Sequence, residues 1–368
     1  YSVSHFPQTF PDVSTVASPA VLVYPERIQK NIELMVKIAG DPARLRPHIK
    51  THKLVEVTRM QMQAGIRKFK CATLAEAEML AKEKVADILL AIQPIGPDIL
   101  RYVQLAKQFP ESQFSVVVDN AGIIHQLNTA CKNEGIRMGA FLDLNVGMDR
   151  TGIEPGMEAF ARYKILHEME HLDILGLHVY DGHIQDQDLR VRTERVNDAF
   201  ASAEDFMRQL ETMGFAPPVI IAGGSPSFPI HAKRKGVELS PGTTLLWDWN
   251  SSSGLPDMEF FNAAFLLTRV VSKPKKGLVC FDLGHKGVAA EMPQPRVRIN
   301  KLEDAEFVMQ SEEHLVAETE RSDDIQAGDA FLAIPKHICP TMALYDHVNV
   351  VESDLVTGQW KNAARHRL

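Results

Sequence analysis

The chain alternates between short apolar runs and amphipathic ones. Apolar residues in unbroken or every-second-position runs of four to eight mark extended segments, and spacing at i, i+3 and i+4 marks helices. Pro19-Ala20-Val21-Leu22-Val23-Tyr24 reads as a buried strand, followed by a helical pattern over residues 26–38. Strand patterns then recur at Leu45–Lys50, Lys68–Thr73, Asp87–Ile92, Gln113–Asp119, Met138–Asn145, Leu172–Tyr180, Pro218–Ala222 and Val237–Leu239. Helical patterns lie between them, at Leu74–Glu83, Asp98–Gln108, Ala121–Asn133, Met157–Glu168 and Val191–Gly214. Eight strand–helix units over about 200 residues are what a (β/α)8 TIM-type barrel needs. A doubly wound open sheet is the other arrangement this alternation permits.

Beyond residue 240 the helical patterns stop. Short β-rich runs follow at Phe265–Val271, Gly277–Leu283, Arg296–Asn300, Glu306–Gln310, His314–Thr319, Ala330–Ile334 and His347–Val351, separated by proline, glycine and charged turns. This is the pattern of a second, all-β domain. A length of 368 residues suits two domains, and 45% hydrophobic with 24% charged residues is the balance of an ordinary globular protein. The net charge of −7 offers no basic field for nucleic acid or an anionic membrane surface. No apolar run approaches a membrane span, and no basic-then-apolar leader is present. The 4 cysteines are widely scattered, which predicts a reducing compartment and a cytoplasmic protein.

The chemistry-bearing residues cluster at predicted strand ends. In extended backbone Arg46, His48, Lys50 and His52 share one face of Arg46-Pro47-His48-Ile49-Lys50-Thr51-His52-Lys53, directly before a helical run. A strand edge blunted by cations would look like this. So would an imine-forming lysine placed where α/β proteins put their chemistry. Asp143-Leu144-Asn145-Val146-Gly147-Met148-Asp149-Arg150-Thr151-Gly152 ends the fifth strand, and on its own is a glycine turn with a surface arginine. Gly176-Leu177-His178-Val179-Tyr180-Asp181-Gly182-His183 ends the sixth, with His178 and Tyr180 on one face. Ala222-Gly223-Gly224-Ser225-Pro226 follows the seventh, where barrels commonly hold a phosphate and glycines let backbone amides approach an anion. Pro335-Lys336-His337-Ile338-Cys339 follows a strand of the second domain. In extended backbone His337 and Cys339 would project together, as an imidazole–thiolate pair suited first to Zn2+.

In order and spacing these motifs resemble the D-threonine aldolase and D-serine dehydratase family, fold-type III pyridoxal 5′-phosphate enzymes related to alanine racemase. The resemblance covers roughly Pro19 to Trp360. It implies an alanine racemase-like barrel over residues 19–243, with residues 1–18 and 244–368 forming a metal-bearing β domain. Lys50 would hold the cofactor as a Schiff base, with His48, Arg150, His178, Tyr180, Gly223, Gly224 and Ser225 as further cofactor contacts, Arg150 facing the pyridine nitrogen. His337 and Cys339 would bind a divalent metal: Zn2+ first, with Mn2+ or Mg2+ as alternatives. His183 would be the base that takes the β-hydroxyl proton of a D-configured amino acid, cleaved to glycine and an aldehyde. D-Serine-type dehydration, or dehydration or aldol cleavage of D-3-hydroxyaspartate, is the alternative reaction, with a racemase or a non-catalytic cofactor carrier further off. The resemblance also implies a homodimer. The partner it predicts is a small D-amino acid, with no nucleic acid and no membrane.

Overall fold

The computed structural model describes residues 6–216 and 218–366. The outermost ends of the expected β domain, residues 1–5 and 367–368, lie outside them. The chain divides into two compact units. One comprises Met35–Lys50 and Thr58–Gly242, and the other the chain up to Leu34, Thr51–Val57 and Thr243–Arg365.

The first unit is a parallel sheet with helices between its strands. Its strands are β2 (Lys68–Cys71), β3 (Asp87–Leu90), β4 (Gln113–Val118), β5 (Met138–Leu144), β6 (Leu172–Val179), β7 (Val219–Ala222) and β8 (Val237–Leu239), hydrogen-bonded in that order. Seven strands are regular, not eight. The expected strand Leu45–Lys50 is a short extended stretch that breaks into a 3-10 turn at Ile49–Thr51. It still joins both ends of the sheet, through parallel bridges Leu45↔Leu239 and His48↔Lys70. Arg46 N–H donates to Leu239 O at 2.8 Å, and Lys70 N–H to Pro47 O at 2.9 Å. Pro47 has no N–H to continue the ladder, which is one reason the stretch stays short.

Inside this ring Leu89, Val117, Phe141 and Ile221 form a buried cluster. Arg46, 2% exposed, lies over the Phe141 ring at 5.8 Å. Its guanidinium bonds both carboxylate oxygens of Asp87 at 2.5 and 2.8 Å, and its Nε donates to Glu238 at 2.7 Å. Lys68 also bonds Glu238. The lysine-bearing stretch is thereby tied to the starts of β3 and β8.

The helices begin at side-chain caps. Thr73 accepts Glu76 N–H at 3.2 Å while the Glu76 carboxylate accepts Ala72 N–H at 2.6 Å, a reciprocal cap for α3 (Leu74–Lys82). Asn120 starts α5 (Ala121–Glu134), which ends at Gly135 with φ +69, and Asp188 starts α7 (Leu189–Thr212). No described helix is long and apolar enough to cross a membrane.

The second unit is built on an antiparallel sheet. Its spine is β9 (Ala264–Ser272), flanked by β1 (Ala20–Val23), β10 (Leu278–Phe281) and β14 (Ala330–Pro335). β15 (His347–Glu352) adds to β1 in parallel, and β11 (Val297–Ile299) pairs β14. Because β1 pairs β9 and β15, it belongs here and not to the barrel expected to begin at residue 19. Leu22, Phe265, Leu267, Leu332 and Ile334 form its core. Two short helices, α9 (Trp249–Gly254) and α10 (Ile338–Met342), interrupt what sequence patterns gave as purely β.

Replacing Arg46 with Met removes the shared cation from two largely buried carboxylates, and stability should fall by about 3–5 kcal/mol. Urea unfolding of the variant against wild type measures it, and a loss below about 1 kcal/mol would mean that the closure does not depend on this ion pair.

Candidate active site

At the C-terminal ends of the barrel strands lies a cavity of about 450 Å3, lined by His48, Lys50, Lys70, Gln93, Asp119, Asp143, Arg150, Thr151, His178 and Tyr180 among others. Lys50 reaches it from the 3-10 turn, not from a strand, and that turn is held by Lys50 N–H donating to His48 Nδ1 at 3.3 Å. The expected single cationic face therefore ends at His48.

Tyr180, just past β6, is the centre of the arrangement. Three cations stand around its ring: Arg150 Cζ at 4.9 Å from the centroid, Lys70 Nζ at 5.6 Å and Lys50 Nζ at 6.0 Å. The negative face of an aromatic ring stabilises cations so placed. Alternation also puts His178 on the Tyr180 side of β6. Its Nδ1 bonds Asp143 at 2.6 Å and its Nε2 bonds Lys70 at 3.2 Å.

Burial and then the Lys70 charge hold His178 below its ordinary range, outweighing Asp143, so it is neutral at pH 7. Burial raises Asp143 less than His178, Thr151 and Lys70 lower it, and it stays ionised. Neutral His178 therefore carries its proton on Nδ1, donates it to Asp143 and accepts from Lys70. Lys70 itself is brought down to about 7, by burial first and the Lys50 charge second.

The turn after β7 packs on Tyr180. A Cβ at Gly224 would lie 3.0 Å from the Tyr180 ring, and one at Gly223, where φ is +76, would lie 2.7 Å from Ser227 Oγ and 2.8 Å from His231. At Gly223 only glycine permits this path, and at Gly224 a side chain would press on Tyr180. Ser225 Oγ accepts Gly242 N–H at 3.1 Å, joining the turn to the one after β8, and nearby Ser240 Oγ is buried with no hydrogen-bond partner among the described atoms. Beneath them Asp181 accepts Ser227 Oγ–H at 2.6 Å and His231 Nε2–H at 2.8 Å. A glycine-shaped turn with an unmet buried hydroxyl fits a cofactor phosphate. An amine on the adjoining cavity fits its aldehyde.

His183 stands elsewhere. Its Nε2 would lie 3.5 Å from a Cβ at Gly147, and it is not among the residues lining the cavity.

In the second unit His337 and Cys339 are brought together, though not by extended backbone. His337 caps α10, and Cys339 lies in its first turn. Asp248, fully buried, accepts Ile338 N–H at 3.0 Å and Ser251 N–H at 2.9 Å, fixing that turn. Glu291 bonds His337 Nδ1 at 2.5 Å, and Thr51 Oγ1 is 3.2 Å from Cys339 Sγ. Burial opposes the His337 charge, but bonding to Cys339, the thiolate charge and Glu291 raise it to about 9. Burial pushes the Cys339 thiol up, yet the bond and charge of His337 bring it below its ordinary range. Among the described residues no group of three or more His, Cys, Asp or Glu side chains is placed to hold a metal. The pair therefore fits an open site that water or a ligand completes, not a closed structural one.

Asp282 accepts Thr268 Oγ–H at 2.7 Å and Arg269 N–H at 2.8 Å, and Lys286 pairs Glu312 at 2.5 Å and Glu313 at 3.4 Å. Sequence reasoning missed Lys70, Asp248 and Glu291. Only Lys70 left a signal, a lysine between Phe69 and Cys71 in a buried strand.

A parallel barrel with an amine-bearing cavity over a glycine turn, joined in one chain to an antiparallel β unit, defines the alanine racemase-like class. The profile of "Alanine racemase, N-terminal domain" matches residues 23–248, and that of "Putative serine dehydratase domain" matches residues 263–351. The chain belongs to the alanine racemase N-terminal domain family. It is 28% identical to a D-threonine aldolase from an Arthrobacter species over 87% of this chain and 85% of that protein. It is 26% identical to a 3-hydroxy-D-aspartate aldolase of Paracoccus denitrificans (strain Pd 1222), over 96% of this chain and 93% of the other. The crystal structure of a D-threonine aldolase from Filomicrobium marinum superposes with a TM-score of 0.89, 24% identity and 99% of each chain covered.

The Cys339 pair makes a direct expectation for chelator-treated protein. The midpoint of alkylation by iodoacetamide, followed by mass spectrometry across pH, should lie below that of a free thiol. In a Glu291→Gln variant the imidazolium loses one of its supports, so the midpoint should move up towards that value.

Proposed function

We propose that this chain is a pyridoxal 5′-phosphate- and divalent-metal-dependent lyase that cleaves D-configured β-hydroxy amino acids to glycine and an aldehyde. The observation that carries the reading is the Lys50 cavity, with Tyr180 and Arg150 on its wall and the Gly223-Gly224-Ser225 turn packed on Tyr180. Lys50 would hold the aldehyde carbon, the Gly223–Ser225 amides and hydroxyl the phosphate, and Tyr180 and Arg150 would border the ring. The cofactor, when bound, supplies the electron sink for bonds to Cα. His48 holds the turn that presents Lys50, and His178 with Asp143 holds the cavity floor. His337 and Cys339 would carry the metal, Zn2+ by donor softness, as a Lewis acid towards a hydroxyl. His183 is the proton acceptor that the family resemblance suggests.

Support for aldol cleavage comes from the two aldolase relatives. Dehydration, as in D-serine dehydratase, is the second reading, favoured by the domain matched over residues 263–351. A homodimer goes with either.

Incubating the purified protein with D-threonine or D-serine and assaying acetaldehyde, glycine and keto acid decides the reaction. Glycine and acetaldehyde from D-threonine are expected, with L-threonine turned over far more slowly. Keto acid without glycine would replace cleavage by dehydration, and neither product would end the lyase reading. Lys50→Ala should lose the borohydride-reducible cofactor linkage, and label recovered on Lys53 or Lys286 instead would refute the assignment. Exhaustive chelation should abolish turnover while the visible cofactor band and thermal midpoint stay in place.

A further inference from the structure

The cavity contains a second amine that the reading above leaves unused. Lys70 is 2% exposed, and its bonded side-chain partner is not a carboxylate but an imidazole. A lysine taken out of water normally pairs with an anion, because an unpaired buried ammonium is costly. Here Asp143, the carboxylate that attracts its proton most, is already engaged by His178 Nδ1 at 2.6 Å. His178 therefore presents a fixed lone pair to Lys70, a partner that holds the amine in position without neutralising it.

We propose that Lys70 is the acid–base group of this cavity, the amine that takes a proton from bound substrate and returns it, with His178 and Asp143 as its positioning residues.

The charges facing it come from several elements. Lys50 and Arg46 repel its proton, Asp143 and Asp181 attract it, and Arg150 also stands against the Tyr180 ring, 4.9 Å from its centroid. Burial and Lys50 prevail, leaving Lys70 near 7, where both protonation states are populated at neutral pH. A general acid–base group works best when it titrates close to the working pH.

The step rests on the lyase reading. In place of His183, which does not line the cavity, neutral Lys70 Nζ takes the β-hydroxyl proton, so that an N–H bond forms and the O–H bond breaks. The oxygen electron pair becomes the second bond of the aldehyde carbonyl as Cα–Cβ opens. Nζ would then return the proton to Cα, using the pair of the opened Cα–Cβ bond that the electron sink of a cofactor held by Lys50 would keep available, and the Lys50 amine would take back the cofactor's aldehyde carbon as glycine leaves. Lys70 ends neutral, as it began, and no other reactant is needed.

Two measurements test this. In holoenzyme carrying lysine labelled with 13C at Cε, the NMR signal that disappears in Lys70→Arg should titrate between about 7 and 9, below the ~10.4 of free lysine. A midpoint above about 10 overturns the proposal. In kinetics, Lys70→Arg keeps a charge but not a proton exchangeable near pH 7, and Lys70→Met keeps only the length. Both should lower kcat by about 10²–10⁴-fold with the cofactor band unchanged, and abolish the pH limb near neutrality. An arginine variant within threefold of wild type, with that limb intact, also overturns it. Should wild type turn over no D-β-hydroxy amino acid, the lyase reading falls while the titration alone decides whether Lys70 is the titrating amine.

Discussion

The barrel unit depends on one buried guanidinium. Arg46 comes from the only part of the ring that is not a regular strand, and it reaches Asp87 at the start of β3 and Glu238 in β8. Backbone bridges at Leu45 and His48 could not hold so short a stretch in register by themselves. The planar fork of arginine meets Asp87 with two parallel bonds and still has Nε for Glu238, a geometry that lysine cannot reproduce. Two carboxylates keep the group charged despite its burial, and their bonds and charges raise its pKa further. The site follows from this closure, since only three residues separate Arg46 from Lys50 and the turn between them has little freedom.

The cavity is correspondingly an electrostatic construction. Three cations around one tyrosine would repel each other strongly in a medium that excludes water. The structure relieves this with the Tyr180 ring face and with Asp143, acting through a neutral histidine. The loosened proton of Lys70 comes from its burial first and from the Lys50 charge second. The glycine turn after β7 is supported differently, by a buried Asp181 that gathers Ser227 and His231, with no room for a side chain at Gly223.

Much of this was legible in the sequence, for definite reasons. Strand and helix patterns were clear wherever a segment buried one face, so β2 to β8 and the helices between β2 and β7 were found nearly residue for residue, while the short helix Phe228–His231 before β8 was missed. The lysine stretch misled because proline and a 3-10 turn break an alternation that the letters alone suggest. His337 and Cys339 are neighbours through a helix start instead of a strand, a distinction set by Asp248 some ninety positions earlier and so invisible locally. Lys70 was hidden by its ordinary setting. A lysine in a strand is usually a solvent-facing residue, and only closure of the ring turns that position inward.

The membership of β1 in the second sheet has a consequence for how the chain is made. Ala20 pairs Leu267 and Val23 pairs Ala264, so the register is fixed across more than two hundred intervening residues. All four residues of β1 are buried in the finished protein. On the ribosome this apolar segment emerges before the whole barrel, and its β9 and β15 partners follow only after the barrel is complete. Until then it is an unpaired edge of the kind that captures other chains. Assembly of the β unit is thus the late, long-range event of folding, and dilution or a chaperone during that interval would favour the correct pairing over intermolecular ones.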